Sequence, residues 1–345
     1  MSKSMQAGFL VKPGQIELRE VAVPEPEPGE VIAKVHTALT CGTDLKTYRR
    51  GHPKVSLPSP FGHEFSGSVH ALGNGVEGFK EGDNLMTVFS SPCEKCYHCR
   101  RDEEHLCTEL KNSLMFGAYA EYIRIPESIV SKNMFKKPHS LSFRQAAMLE
   151  PLSCVMHGVD EASPGSDDAI LVIGAGTIGL LFTAVLKTMN PKKLIVAARG
   201  EERIAVANLL GADSVIDAAN ENVLERVHDL TDGIGANIVI ESTGSKEVWE
   251  SSVDYVSKNG KVILFGGLAE NSTVTFDAER LHYDHIRLQG VFHYRRKDVA
   301  AARELLISDQ IHLEPLITKE YPLGDLKKAF QLLDEKKGIK YAILP

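Results

Sequence analysis

The stretch AILVIGAGTIGLLFTAVLKTM, residues 169–189, decides the fold of this chain. It begins with a continuous apolar run, AILVI, which is typical of a strand buried on both faces. The next residues, GAGTIG, follow the pattern G-x-G-x-x-G. After them, apolar side chains recur at helical spacing, at Ile178, Leu181, Val185, Leu186 and Met189. The sequence therefore predicts a strand, a tight glycine-rich turn and a helix.

The same alternation continues toward the C-terminus. The segments LIVAA, SVID, ANIVIEST and KVILFGG are typical of buried strands. Between them, RIAVANLLGA, ENVLERVHDL and KEVWESSVDYVSKNG are predicted to be helices. Repeated strand–helix–strand units imply a doubly wound parallel sheet with right-handed crossovers, and hence the α/β class.

Both ends of the chain have a different pattern. The first part, up to about residue 130, consists of short strands such as MQAGFLV, QIELREV, VIAKVHTALT and AYAEYIRIP, which predict a compact barrel-like β unit. The tail contains two amphipathic helices, KDVAAARELLISD and LGDLKKAFQLLDEKK, and a final KYAILP strand. From these patterns alone, the tail either extends the sheet domain or returns to the first unit.

The glycine-rich turn predicts a dinucleotide site. Gly174 permits the tight turn, Gly176 lets the backbone approach a pyrophosphate, and Gly179 lets helix and strand pack closely. The amides that begin the helix, at Thr177 and Ile178, would face the phosphates with a favourable dipole.

The end of the second strand of this domain bears on the choice of cofactor. NAD enzymes usually carry Asp or Glu there, to accept hydrogen bonds from the ribose. Here the strand ends before Arg199, and Arg203 follows one helical turn later. Two guanidinium groups would bind a 2′-phosphate, which predicts NADP, with NAD as the alternative. In that alternative both arginines are solvated and pair with Glu201 and Glu202.

Four of the six cysteines lie close together, within residues 91–110. Their spacing is Cys93-x2-Cys96-x2-Cys99-x7-Cys107, which offers four thiolates for a closed tetrahedral zinc site. Such a site is structural, because no coordination position stays open for a substrate.

A second possible metal site is scattered along the sequence. Cys41 ends an apolar strand, His63 and Glu64 lie in FGHEFSG, and Glu150 lies in MLEPLSC. A catalytic zinc needs three protein ligands and an open position. Each residue alone also fits an ordinary role, as a core cysteine, a buried histidine or an exposed carboxylate, and spacing does not decide between these.

Taken together, these motifs resemble those of the zinc-containing medium-chain alcohol dehydrogenases. The stretch GHEFSGSVHALGNGV, residues 62–76, matches that family's zinc signature, and the cysteines and GAGTIG follow in the family's order. LEPLSCVMHG, residues 149–158, resembles the sorbitol and polyol dehydrogenase branch, while CGTDL, residues 41–45, resembles that branch and the threonine dehydrogenases.

The resemblance implies a fold with two domains. A GroES-like β-barrel catalytic domain, residues 1–154, would contain the structural zinc lobe at 91–110. A Rossmann coenzyme domain would follow at 155–291, and residues 292–345 would return to the catalytic domain. A homodimer or homotetramer is also implied, often joined through the strand that corresponds to IRLQGVF here.

The resemblance also implies residue roles. Cys41 and His63 would hold the catalytic zinc, and Glu64 and Glu150 would compete for its remaining coordination positions, directly or through water. Thr43 would receive the proton of the substrate hydroxyl. With the four-cysteine site, the chain would bind two zinc ions per subunit.

Several positions depart from the polyol pattern. Lys46 and Thr47 stand where many polyol dehydrogenases have histidine and tyrosine, and His293 replaces a substrate-contacting arginine before a retained Tyr294. These departures argue against sorbitol as the substrate. Lys46, His293 and Tyr294 are the candidate substrate residues.

Two basic runs near these positions suggest an anionic substrate, such as a sugar phosphate. They comprise Lys46, Arg49, Arg50, His52 and Lys54, and then Arg295 and Arg296. Ordinary exposed surface charge is the alternative explanation.

Composition excludes several classes. The formal net charge of −7 argues against nucleic acid as a partner, because phosphate backbones bind basic faces. The N-terminal residues lack the apolar region of a secretion signal, and no apolar run is long enough to cross a bilayer. We expect a cytoplasmic protein that does not bind membranes.

The sequence thus favours an enzyme that transfers hydride between NADP(H) and a secondary alcohol or ketone, with a polyol or polyol phosphate as substrate. The alternative enzyme is an NAD-linked L-threonine or 2,3-diol dehydrogenase. An alternative from another class is a non-catalytic dinucleotide sensor that has kept the fold.

Overall fold

The computed structural model describes residues 4–51 and 56–345. Within these ranges it forms two compact units. Unit 1 contains Met1–Ser153, Tyr294–Asp309 and Ile317–Pro345, and unit 2 contains Cys154–His293 and Gln310–Leu316. None of the helices in the described ranges has the length and apolarity that a membrane span requires.

The described residues contain sixteen strands, which are numbered in chain order. They are β1 (Ser4–Lys12), β2 (Gln15–Ala22), β3 (Val31–Leu39), β4 (Ser59–Pro60), β5 (Glu64–Leu72), β6 (Asn84–Thr87), β7 (Tyr122–Ile125), β8 (Met134–Lys136), β9 (Ala169–Ile173), β10 (Lys193–Ala198), β11 (Ser214–Asp217), β12 (Ala236–Glu241), β13 (Val256–Leu264), β14 (Arg287–Gly290), β15 (Ile317–Pro322) and β16 (Lys340–Leu344).

The α-helices are numbered in the same way. They are α1 (Gly42–Arg50), α2 (Glu127–Asn133), α3 (Phe143–Ala146), α4 (Leu149–Ala162), α5 (Thr177–Thr188), α6 (Glu201–Leu209), α7 (Val223–Leu230), α8 (Lys246–Ser251), α9 (Ala278–Tyr283), α10 (Arg296–Ile307) and α11 (Leu326–Asp334). Short 3-10 helices occur at Cys99–Arg101, Glu104–Leu106, Leu110–Ser113, Ser252–Asp254, Glu314–Leu316 and Leu323–Asp325.

Unit 2 contains one six-stranded sheet in the order β11-β10-β9-β12-β13-β14, and all its pairings are parallel. This is the strand order of the Rossmann fold, which confirms the predicted fold class. The strand β9 lies in the middle of the sheet, and all five of its residues are buried. Its carboxyl end therefore lies where the strand order reverses, which is the usual ligand position in such sheets.

One helix of unit 2 is shorter in the structure than the sequence predicts. The segment KEVWESSVDYVSKNG was expected to be helical throughout, but α8 ends at Ser251 and β13 begins at Val256. Val256 is buried and pairs with Ala236, while Lys261 pairs with Ile238, so the strand contains an irregularity. Asn259 in that irregularity has φ of 59°, a conformation that no helix continues.

Unit 1 is built mainly on antiparallel β-structure, with one parallel pairing between β15 and β16. Its larger sheet has the order β15-β16-β3-β5-β6-β8, and β7 also pairs with β3. The smaller sheet has the order β2-β1-β4. The C-terminal strand β16 pairs with β3, so the chain ends beside one of its first strands. The core includes Leu85, Ile125 and Phe330, each with no exposed surface.

The boundary between the units falls inside α4, between Ser153 and Cys154. The domain limits given above, 1–154, 155–291 and 292–345, stay a prediction. The structure also groups Gln310–Leu316 with unit 2, a detail that those limits do not contain.

Candidate active site

The four clustered cysteines of unit 1 form a compact group of donors. The sulfur atoms of Cys93, Cys96, Cys99 and Cys107 all lie within 4.8 Å of one another. The Cys96–Cys99 and Cys93–Cys99 sulfur distances are 3.5 and 4.0 Å. Four sulfurs at about 2.3 Å from one tetrahedral zinc would be about 3.8 Å apart. The group therefore fits a zinc ion, and the cysteines are free thiols.

The surroundings of the cysteines shift their thiol pKa values in opposite directions. Amide donation from Cys99, above all, lowers the pKa of the Cys96 thiol to about 5, whereas burial raises the pKa of Cys99 to about 12. The segment is bound to α10 through Arg296, whose Nε donates to Glu104 at 2.8 Å and whose guanidinium also contacts Glu94. These contacts hold the cysteine segment against the rest of unit 1.

A second group of possible metal ligands in unit 1 brings together residues from the start of α1 and the start of β5. The donor atoms of Cys41, His63 and Glu64 lie within 4.8 Å of one another. Cys41 precedes α1 as its N-cap, where its sulfur accepts a hydrogen bond from the amide of Thr43 at 3.4 Å. His63 directly precedes β5, and Glu64 is the first residue of that strand. A helix N-terminus stabilises negative charge on a sulfur.

His63 is oriented by a carboxylate. Its Nδ1 lies 3.0 Å from Asp44 Oδ1, and both side chains are about 4% exposed. Burial acts to lower the pKa of His63, but Asp44 and Cys41 outweigh it, and the pKa lies well above the usual value. When the imidazole is neutral and Nδ1 donates to Asp44, Nε2 carries the lone pair that can bind a metal.

Glu64 is buried against a lysine. Its carboxylate contacts the ammonium of Lys340, and each side chain is 1% exposed. Lys340 Nζ also donates to the Thr40 carbonyl at 2.8 Å. Burial raises the pKa of Glu64, although Lys340 opposes the shift. In the part of the chain that the structure describes, Glu64 Oε1 has no hydrogen-bond partner, which leaves one carboxylate oxygen for a cation.

Glu150 and Thr43 are not members of the group formed by Cys41, His63 and Glu64. Glu150 lies in α4, is 4% exposed, and is not among the residues whose donor atoms converge. Burial raises the pKa of the Glu150 carboxyl to about 7, with Glu64 adding to the shift and His63 opposing it. Thr43 is exposed in the first turn of α1, two residues after Cys41.

The donor set fits a divalent cation. A thiol and three carboxyl groups, those of Asp44, Glu64 and Glu150, share this buried region with one ammonium and one imidazole. Burial, followed by the negative charge of Glu64, raises the pKa of the Cys41 thiol. A zinc ion would reverse this, because a coordinating thiol is deprotonated. The predicted ligand set, including the choice between Glu64 and Glu150, stays a prediction.

The glycine-rich turn of unit 2 has a geometry that requires glycine. Gly174 has φ of 101°, and a Cβ there would lie 2.7 Å from Thr243 Cγ2. A Cβ on Gly179 would overlap the carbonyl oxygen of Gly174. At Gly176 the nearest atom to such a Cβ is 3.8 Å away, on Arg203, so the backbone is open to a ligand. Helix α5 begins at Thr177, directly after this turn.

The two candidate arginines of unit 2 follow β10 in the sequence and differ in exposure. Arg199 is exposed at the end of β10. Arg203 is partly buried on α6 and its Nη1 donates to the carbonyl of Ala175 at 3.4 Å. Burial lowers the pKa of the Arg203 guanidinium. One guanidinium therefore lies directly against the glycine-rich turn.

The predicted substrate residues lie in three settings. Lys46 is half-buried on α1. His293 ends the main segment of unit 2 with φ of 61°, and its carbonyl lies 2.9 Å from Nδ1 of the buried His157. Tyr294, in unit 1, is 4% exposed and its hydroxyl lies 2.9 Å from Ser90 Oγ.

Several arginines of the two basic runs are paired with carboxylates. Arg295 is buried and bound to Asp298, with Nε and Nη2 at 2.8 and 3.1 Å from its oxygens. Arg296 is bound to carboxylates of the cysteine segment, as described above. Arg49 on α1 pairs with Asp334 on α11. His52 and Lys54 lie outside the described residues. These three arginines are therefore paired with carboxylates, and the anionic-substrate hypothesis stays a prediction.

Sequence reasoning missed three residues of this region, Asp44, Tyr119 and Lys340. Asp44 follows Cys41 by three residues within CGTDL, so its place in the first turn of α1 could have drawn attention to it. Lys340 opens the KYAIL strand, where a lysine is usually exposed. Tyr119, whose hydroxyl lies 2.8 Å from Asp44 Oδ2, belongs to a run interpreted only as a strand.

Comparison with known families gives two matches. Residues 27–137 match the alcohol dehydrogenase GroES-like domain, and residues 177–308 match the zinc-binding dehydrogenase domain. An L-threonine 3-dehydrogenase of Pyrococcus horikoshii is 34% identical over 100% of this chain and 99% of its own. A sorbitol dehydrogenase of Halalkalibacterium halodurans is 31% identical over 93% and 94%. A D-arabitol-phosphate dehydrogenase of Enterococcus avium is 30% identical over 99% and 98%.

Solved structures are also similar over nearly the whole chain. A candidate zinc-binding dehydrogenase of Sinorhizobium meliloti 1021, bound to NADP, has a TM-score of 0.90 and 25% identity over 99% of this chain and 100% of its own. An alcohol dehydrogenase of Escherichia coli CFT073, complexed with NADH, has a TM-score of 0.88 and 27% identity over 99% of each.

The chain belongs to the zinc-containing medium-chain alcohol dehydrogenase family. Within it, the sorbitol and arabitol-phosphate relatives indicate the polyol-dehydrogenase type, as the sequence motifs predicted. As a member, it is an alcohol dehydrogenase whose substrate is a small-molecule alcohol or ketone, and membership supports zinc and a nicotinamide cofactor as its cofactors.

Proposed function

We propose that this protein is a zinc-dependent, NADP-preferring dehydrogenase of a secondary alcohol, with a polyol or polyol phosphate as substrate. The observation that carries the proposal is that the donor atoms of Cys41, His63 and Glu64 converge, and that Glu64 Oε1 is buried with no hydrogen-bond partner among the described residues. A non-catalytic dinucleotide sensor has no use for a buried, hydrogen-bonded metal site of this kind.

Zinc bound at this site would supply a Lewis acid that makes the hydroxyl proton of the substrate easier to remove. Cys41, His63 and Glu64 would hold the ion, with Glu150 as the alternative carboxylate. Asp44 would hold the neutral His63 in the tautomer whose Nε2 can bind the ion. Thr43, exposed beside Cys41, would receive the proton of the alcohol. The four cysteines of residues 91–110 would hold a second, structural zinc.

The cofactor assignment depends on two arginines. The glycine-rich turn and the start of α5 would bind the pyrophosphate of either NAD or NADP. Arg199 and Arg203 add two positive charges after β10, where an NAD enzyme usually has a carboxylate. A structural relative with NADP supports this choice, and another with NADH shows that the fold accepts both cofactors.

The proposed substrate class is supported by the relatives and by the pairing of the arginines in the basic runs. The sorbitol and arabitol-phosphate dehydrogenases support a polyol with or without a phosphate. Since Arg49, Arg295 and Arg296 are paired with carboxylates, the contacts of the described residues favour a neutral polyol over its phosphate. The second candidate is NAD-linked oxidation of L-threonine, which the 34% identical relative favours.

A homodimer or homotetramer is part of the proposal. The strand β14 is at one edge of the six-stranded sheet, and it lies in the segment that the family resemblance associates with subunit contacts. An unpaired strand edge can bind the same edge of a second chain.

A substrate panel tests the proposal. Polyols, polyol phosphates, L-threonine and simple secondary alcohols are each mixed with the protein and NAD or NADP, and formation of reduced cofactor is followed by absorbance. We expect turnover of a polyol with NADP. Turnover of L-threonine with NAD would replace the first candidate by the second. Absence of turnover in both directions, in zinc-loaded protein that binds NADPH, would support the sensor.

A further inference from the structure

The side chain of Tyr119 is buried in unit 1 with no exposed surface. Its hydroxyl lies 2.8 Å from Asp44 Oδ2 and 3.1 Å from the carbonyl oxygen of Leu39. The other oxygen of the same carboxylate, Asp44 Oδ1, lies 3.0 Å from His63 Nδ1. A continuous chain of hydrogen bonds therefore connects the phenol of Tyr119 to the imidazole of His63.

The backbone also fixes this tyrosine relative to His63. The amides of Gly117 and Ala118 donate to the carbonyl of Gly62 at 2.8 and 3.1 Å, and the amide of Tyr119 donates to Phe61 at 3.1 Å. The residues directly before His63 are therefore hydrogen-bonded to residues 117–119. A Cβ on Gly62 would lie 2.7 Å from the ring of Tyr119, so the ring packs directly on that backbone.

The phenol acts as the donor in this network. Burial, followed by the negative charge of Asp44, raises the pKa of Tyr119 well above its usual value, so the hydroxyl keeps its proton. A carboxylate only accepts hydrogen bonds. Asp44 thus receives one hydrogen bond from His63 and one from Tyr119, and each of its oxygens has a donor.

We propose that Tyr119 is a positioning residue for the metal ligand His63 and acts through Asp44. The inference rests on the proposed zinc site. In it, the hydroxyl of Tyr119 fixes the carboxylate of Asp44, and that carboxylate orients the imidazole of His63. Loss of that hydroxyl leaves a buried carboxylate oxygen without its donor, which frees Asp44 to rotate and His63 to tilt. Partners beyond the ligands typically change metal affinity by about 10- to 100-fold, and we expect the lower end here.

The test measures zinc release from the full-length, zinc-loaded protein after addition of a chelator, with a colorimetric indicator. In Tyr119→Phe we expect one of two zinc ions to leave about 10-fold faster than in the wild type. The other ion, in the cysteine site, should leave at the wild-type rate and serves as an internal reference. Tyr341→Phe is the matched control, because it removes a hydroxyl that donates to the Lys337 carbonyl at 2.7 Å.

A double-mutant cycle separates positioning from general loosening. If Tyr119 acts through Asp44, then adding Tyr119→Phe to Asp44→Asn should cause no further acceleration. Cobalt substitution gives a second readout, since the absorption bands of the Cys41–His63 site should shift in the same way in both single variants. If Tyr119→Phe does not fold, Asp44→Asn alone must accelerate the loss of one ion.

Three results would overturn the inference. They are wild-type zinc retention in Tyr119→Phe, equal acceleration in Tyr341→Phe, or additive effects of the two substitutions in the cycle. In each of these cases the proposed function is still supported if the wild-type protein binds zinc and is active. A wild type that binds only one zinc per chain would instead remove the proposed function, and with it this inference.

Discussion

The ammonium of Lys340 contacts the carboxylate of Glu64 in the interior of unit 1, and each of these side chains is 1% exposed. Lys340 is the first residue of the last strand, β16, and Glu64 is the first residue of β5. The contact therefore joins the C-terminal strand to the candidate metal ligands. A buried ion pair contributes little net stability, but removing one partner leaves a buried charge, which is costly.

Replacement of Lys340 by Met should destabilise the protein. The carboxylate of Glu64 would lose its counter-ion while it stays buried, and the free energy of unfolding should fall by about 3–5 kcal/mol. Urea unfolding, followed by far-ultraviolet circular dichroism, measures the change. Lys319→Met, at an exposed position on β15, is the matched control and should change stability by less than about 0.5 kcal/mol.

Combining Lys340→Met with Glu64→Gln should recover a large part of the lost stability, because the unpaired charge is removed. If the double variant is as unstable as Lys340→Met alone, the loss has a cause other than the buried carboxylate.

Replacement of Cys107 by Ser should release one zinc per chain and lower the thermal midpoint of unfolding, because a structural zinc site contributes directly to folding. Zinc content by atomic absorption and a thermal scan check this. Cys154→Ser, at a cysteine outside both donor groups, should keep both zinc ions. A full zinc content in Cys107→Ser would contradict the four-sulfur site.

The sequence predicts those features whose chemistry is local. The four cysteines lie within one short segment, and GAGTIG is continuous with its strand and helix, so their spacing alone indicates their arrangement. Long-range partners are different. Nothing local to Lys340 indicates Glu64, because their contact depends on β16 pairing with β3 and on β3 pairing with β5.

Local charge was also interpreted too simply. Arg295 was counted in a basic run near the candidate substrate residues, although Asp298 follows three residues later at helical spacing and binds it. The helix predicted through residue 260 failed because buried pairing of Val256 with Ala236 outweighs local helix propensity.

Replacement of Arg199 and Arg203 by Ala should change cofactor preference. The loss of two charged contacts to a 2′-phosphate should raise KM for NADP by about 10-fold or more and leave KM for NAD nearly unchanged. Steady-state kinetics with both cofactors measures this. Arg226→Ala, on α7 of the same unit, is the control. An equal rise in both KM values would mean that Arg203 supports the glycine-rich turn and does not select NADP.

Replacement of Glu241 by Gln should remove one source of pH dependence in stability. Burial raises the pKa of Glu241 above its usual value of 4.5, although its Oε1 accepts hydrogen bonds from the amides of Thr243 and Gly244. The folded state thus holds the proton more tightly than the unfolded state. The stability that this gives is complete below pH 4.5 and is lost as the pH rises through the raised pKa.

Urea midpoints of the wild type and Glu241→Gln, measured from pH 4.5 to pH 8, check the sign. We expect the variant to gain stability relative to the wild type as the pH rises. A difference that is constant, or that falls with pH, would contradict the raised pKa.

The most direct test of zinc catalysis is the turnover of Cys41→Ser, measured together with its zinc content and NADPH binding, beside Cys154→Ser as control. We predict that Cys41→Ser loses one zinc per chain and at least about 100-fold in kcat, since the Lewis acid is lost, while NADPH binding in unit 2 is unchanged. Cys154→Ser should keep turnover and both zinc ions. Unchanged turnover in a Cys41→Ser protein that lacks this zinc would contradict the account.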